Sequence, residues 1–160
     1  MQSDGVIGRY AIGGAVGATF YLEPVRTLDV DVFIAIHAEA GKLVTLDPIY
    51  EHLMNRGYST EGQYVVIERS LVQFLSAGPL VEEGIAQANE VSLEGEPTFI
   101  FSAEHLVAMG LQTGRAKDKA LILQFIEAEV LDQKRLDDIV IRHNLTQQWR
   151  DFQEKFLSDN

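Results

Sequence analysis

The 160 residues include no cysteine, only four prolines, and no apolar run approaching the ~20 residues that a membrane-spanning helix requires. A disulfide scaffold is thereby excluded, and no membrane partner is expected. Basic residues are also scarce: 13 Lys and Arg stand against 24 Asp and Glu, a formal net charge of −11. Phosphate contacts dominate nucleic-acid affinity, so this field opposes long duplex DNA and favours divalent cations. Met1-Gln2-Ser3-Asp4-Gly5 lacks the basic stretch and apolar run of a secretion signal, which makes the cytoplasm the expected setting. What is present is ordinary globular material: the chain is 46% hydrophobic, at a length where about 70% of the unfolded surface can be buried.

Arg9 to Ile12 reads as a short apolar strand that stops at Gly13-Gly14, and Ala15 to Tyr21 as a small-residue helix after it. Leu28 to Ile36 has strand alternation. Leu28, Val30, Val32 and Ile34 share one face, and Asp29, Asp31, Phe33 and Ala35 share the other. Asp47-Pro48 opens a helix, with the Asp side chain able to cap it, and Gly57 closes it. Gln63 to Glu68 and Leu71 to Leu75 read as two strands broken at Arg69-Ser70, Val81 to Glu90 as a short helix or an irregular crossover, and Thr98 to Phe101 as a last strand. From Ser102 the spacing turns helical, through Leu106, Leu111, Ile122, Phe125, Leu136, Ile139, Trp149, Phe152 and Phe156. The fold class is therefore α/β (α+β): a small mixed sheet with flanking helices over residues 1–101, then a helical subdomain over 102–160, packed as one unit.

Asp29 and Asp31, two apart on a strand, point the same way with Cα atoms ~6.5–7 Å apart, so both can reach one hard cation or a close pair of cations. Two acids meeting solvent at a strand end would look the same. Gly13-Gly14 lets a backbone approach a phosphate closely, and tight packing of the turn explains the same residues. His37, His52, His105 and His143 have no metal-like spacing. Ile139 to Phe156 has the outline of a helix-turn-helix, but its acids and the negative chain favour core packing.

Taken together, Gly13-Gly14-Ala15 followed by Arg26-Thr27-Leu28-Asp29-Val30-Asp31-Val32 resembles the signature of the DNA polymerase β-like nucleotidyltransferase superfamily. Within it the pattern is most similar to minimal prokaryotic nucleotidyltransferases, including the abortive-infection AbiEii-like toxins, and Arg115-Ala116-Lys117-Asp118 is similar to a basic motif on a helix in that family. The resemblance implies Mg²⁺ (or Mn²⁺) held by Asp29 and Asp31, a nucleoside triphosphate contacted by Gly13, Gly14, Thr27, Arg115 and Lys117, and transfer of a nucleotidyl group to a hydroxyl of an acceptor that is a small molecule, RNA or protein. It also implies a third carboxylate on a neighbouring strand. There the sequence reads Val72-Gln73-Phe74, an amide in place of an anion, with Glu68 as the close replacement. The rival expectation is a catalytically reduced nucleotide-binding or partner-binding protein, for example of a toxin–antitoxin pair.

Overall fold

The computed structural model describes residues 1–24, 26–27, 29–36, 45–76 and 78–158. The chain divides into two compact units, Met1–Phe101 and Ser102–Asn160.

The first unit is a mixed sheet with short helices. Its elements in order are β1 (Tyr10–Ile12), α1 (Gly14–Ala18), β2 (Asp29–Ile34), α2 (Asp47–Asn55), β3 (Ser59–Glu61), β4 (Tyr64–Ile67), β5 (Ser70–Leu75), α3 (Pro79–Ala86), β6 (Asn89–Leu93) and β7 (Glu96–Ile100). Among the described residues seven strands lie in the order β3-β4-β5-β2-β1-β7-β6. The β2–β5 and β1–β7 pairs are parallel and the remaining pairs antiparallel. The α/β class read from the sequence is the one observed.

Alternation along β2 explains where the core lies. Val30, Val32 and Ile34 pack with Val65, Val72 and Phe74 beneath Ile49 and Leu53 of α2, which leaves Asp29, Asp31 and Phe33 on the opposite face. The helix opened by Asp47-Pro48 is α2, but its cap is not the expected one. Leu46 is the N-cap residue, no side chain caps it, and Asp47 lies inside the first turn with its charge at the positive end of the helix. Gly57 follows the helix at φ 89°, where a left-handed residue ends it.

The β4–β5 connection is a two-residue turn at Glu68 (φ 47°) and Arg69 (φ 73°), one residue earlier than the sequence indicates. Positive φ at both central residues is the twist that suits a tight hairpin. The stretch from Val81 divides between the end of α3 and the start of β6. Leu28 and His37 lie outside the described residues.

The second unit is helical: α4 (Ala103–Thr113), α5 (Ala116–Glu127), α6 (Gln133–Arg142) and α7 (Thr146–Phe156). Ser102 starts α4 by accepting the His105 N–H at 3.2 Å, and Gly114, at φ 67°, ends it. From Ala103 to Ala108 every residue of α4 is buried, and the helix packs on α5, α6 and α7. Leu136, Ile139, Val140, Leu145, Trp149 and Phe152 are also buried, so the stretch resembling a helix-turn-helix spends its apolar residues on a core.

Candidate functional site

The site grows out of three neighbouring strands. Ile12, the last residue of β1, pairs with Val32 of β2, and the Gly13 N–H extends that ladder by donating to the Asp31 carbonyl at 2.9 Å. The chain then turns at Gly14, whose φ of 56° carries it into α1. The turn is thus held beside Asp31 by backbone bonding.

The two glycines are required for different reasons. A Cβ on Gly13 would stand 2.7 Å from Cε2 of Phe33, the residue that shares a face with the two acids and meets Phe101 edge-on at 5.3 Å. A Cβ on Gly14 would run into the Asp31 carboxylate, 3.2 Å from its Cγ and closer still to Oδ2. At Gly14 steric space and backbone conformation make the same demand, since a left-handed φ costs an L-residue about 1–2 kcal/mol. Only the parity of Phe33 with Asp29 and Asp31 is legible in the residue pattern.

Asp29 and Asp31 are both half-buried on the face away from α2. The Thr27 hydroxyl lies 3.0 Å from Asp29 Oδ1 and 3.1 Å from the Asp29 carbonyl, with either as acceptor. The Thr27 hydroxyl therefore orients Asp29. The parallel register pairs Asp29 with Leu71 and Asp31 with Gln73. Paired residues on neighbouring strands stand about 4.8 Å apart with side chains on the same face, so Gln73 shares the face of Asp31 at the adjacent position. Glu68 is an exposed residue of the β4–β5 turn, not a strand neighbour of Asp31. Among the described residues no three Asp, Glu or His side chains form a metal-holding group.

Gly13, Gly14, Thr27, Asp29, Asp31 and Gln73 thus belong to one corner of the first unit. Arg115 and Lys117 belong to the second. Arg115 is the N-cap residue of α5, and its guanidinium clamps Asp118 with Nε at 2.6 Å and Nη2 at 3.1 Å. Thr113 donates to the same carboxylate at 2.6 Å. Burial pulls the Asp118 carboxyl upward, but hydrogen bonds from Arg115 and Thr113 and the charges of Arg115 and Lys117 outweigh it and hold it below the usual 3.8. Lys117 is exposed and makes no ion pair among the described residues.

The fold is nucleotidyltransferase-like, on its likeness to a solved structure. The solved structure that carries the comparison is that of an antigenic nucleotidyltransferase-like protein from Paracoccidioides brasiliensis, with TM-score 0.53 and 16% identity over 96% of this chain and 85% of that one. No protein-family model matches the sequence, and no curated protein does. No described helix is long and apolar enough to cross a membrane.

Proposed function

We propose that the protein transfers a nucleotidyl group from a nucleoside triphosphate to a hydroxyl acceptor, with Mg²⁺ or Mn²⁺ held by Asp29 and Asp31. The observation that carries this reading is the glycine turn set against the Asp31 carboxylate, which leaves backbone rather than side chain where a triphosphate must approach two like-facing acids. Two carboxylates and the carbonyl oxygen of Gln73 are a donor set for one hard divalent cation; a second cation lacks its third anion among the described residues. Such a cation, when bound, neutralises triphosphate charge. The chain's own part is positional. Thr27 fixes the Asp29 carboxylate, and Gly14 keeps the approach open. Phosphoryl-type transfer depends on such positioning and charge neutralisation more than on covalent chemistry.

Gln73 favours a second reading, a protein that binds the nucleotide and no longer turns it over. The AbiEii-like likeness, and with it a place in a toxin–antitoxin pair, rests on the Gly13-Gly14, Arg26 to Val32 and Arg115 to Asp118 motifs. The two readings separate in one experiment: thermal stabilisation by each nucleoside triphosphate with and without Mg²⁺, followed by pyrophosphate release in the presence of cell extract. Metal-dependent stabilisation with release supports transfer, and stabilisation without release supports binding alone. Asp29→Ala and Asp31→Ala proteins stabilised as the parent is would remove both readings.

A further inference from the structure

The helical unit Ser102–Asn160 contains a cleft of about 210 Å³ lined only by its own α4, α5 and α7 and the turn after α4. Its walls are apolar. Leu111, Ile122 and Phe152 are buried, and Phe156 is 37% exposed, so part of its ring is left open. That ring ends an aromatic series in which Trp149 stacks on Phe152 at 5.8 Å between centroids and Phe152 meets Phe156 at 4.9 Å. Next to the cleft's Gly114 there is open space, with no atom within 4 Å of where a Cβ would stand.

The polar lining is cationic in balance. Lys155 holds its ammonium 5.5 Å from the centre of the Phe156 ring, and Lys119 also lines the cleft. Neither lysine makes an ion pair with an acid among the described residues. The one acid in the lining, Asp151, accepts a hydrogen bond from Gln147 Nε2 at 2.7 Å. In a chain of net charge −11, two lysines without carboxylate partners over an aromatic wall are chemistry for an organic anion with a flat apolar body. The volume limits that body to one or two fused rings, since sites for drug-sized molecules begin near ~300 Å³.

We infer that this cleft binds a small aromatic carboxylate, its rings against Phe156, Leu111 and Ile122 and its carboxylate between Lys119 and Lys155. The inference stands apart from the nucleotide site and is tested separately. Calorimetric titration of the full chain with 1-naphthoate should show one saturable site, about tenfold or more tighter than for the neutral 1-naphthylmethanol and tighter than for AMP, because a charge-assisted hydrogen bond is lost with the neutral ligand. The Lys119→Gln/Lys155→Gln protein, at unchanged melting temperature, should bind the acid about tenfold more weakly or less well still. Phe156→Ala should also weaken it, and the amide resonances of Gly110 and Gly114 should move on titration. Equal affinity for acid and alcohol, tighter binding of AMP, an unaffected double variant, or resonance shifts confined to residues 1–101 would each overturn the inference.

Discussion

Residues 1–101 carry fourteen acidic side chains against five basic ones, whereas residues 102–160 carry ten against eight. The two regions also use their carboxylates differently. In the helical unit the buried Glu104 accepts the Asp132 N–H at 2.8 Å, where α6 begins, and faces Arg135 at 3.6 Å. Asp118 is gripped by Arg115 and Thr113. These acids are consumed by helix starts and helix connections. In the α/β unit, Asp29 is held by a neutral hydroxyl, and Asp31 stands beside a glycine turn with Gln73 opposite it in the parallel register. A half-buried pair of like charges on one strand face is costly in the absence of a cation, so the β2 pair is the one to assign to ligand chemistry.

The sharpest break of that contrast is Glu104→Ala against Asp31→Asn. Glu104→Ala removes the acceptor of the Asp132 N–H and the carboxylate facing Arg135, and should cost about 2–3 kcal/mol in a denaturant titration. Asp31→Asn removes a repulsion with Asp29 and should leave stability in the absence of ligand within about 1 kcal/mol of the parent or raise it, while abolishing metal-dependent stabilisation by nucleotide. Reversed magnitudes would mean that the β2 acids are structural.

A second comparison uses two glycines of nearly equal conformation. Gly14 at φ 56° and Gly114 at φ 67° share the same left-handed strain, about 1–2 kcal/mol for an alanine. Only Gly14 has a carboxylate where the Cβ would go. Gly14→Ala should therefore lose metal-dependent nucleotide binding as well as stability, and Gly114→Ala stability alone. Thr27→Val is a gentler form of the same test: loss of one donor to Asp29 should cost about 0.5–1.5 kcal/mol in divalent-cation binding, read as a several-fold weaker Mn²⁺ affinity with melting temperature nearly unchanged.

The sequence displays one half of this geometry and hides the other. Alternation along Asp29–Ile34 is written in the residue pattern, and so is the parity of Gln73, because Val72 and Phe74 must both be core. The register that sets Gln73 against Asp31 is a parallel pairing between strands about forty residues apart, and nothing local encodes it. The steric need for Gly14 is hidden for the same reason, since Asp31 reaches the turn only through the Gly13 N–H bond. Strands β3 and β6 leave no mark in the residue pattern: Ser59–Glu61 is exposed throughout and Asn89–Leu93 nearly so, and edge strands of that kind carry no apolar alternation. The hairpin turn falls one residue earlier than the pattern indicates because Glu68 and Arg69 adopt positive φ without the Asn or Gly that marks such turns.

The smallest expected effect concerns acid pH and the clamped carboxylate of the helical unit. The Asp118 carboxyl is lowered, so it favours the folded state most where the unfolded carboxyl is already ionised, above pH 3.8. That contribution disappears as the pH falls through the lowered folded value. In Asp118→Asn the charge is absent at every pH, so the variant should melt below the parent at neutral pH and converge with it at the acid end. The gap should be modest, because the Arg115 side chain is 58% exposed and solvent screens the pair. Lys117→Ala provides the contrast within the same motif: with no hydrogen bond to lose, it should alter melting less than Asp118→Asn does, while weakening triphosphate binding if its charge serves phosphate. A Lys117→Ala protein that binds adenosine and ATP with equally reduced affinity would assign this residue to the helix and not to the ligand.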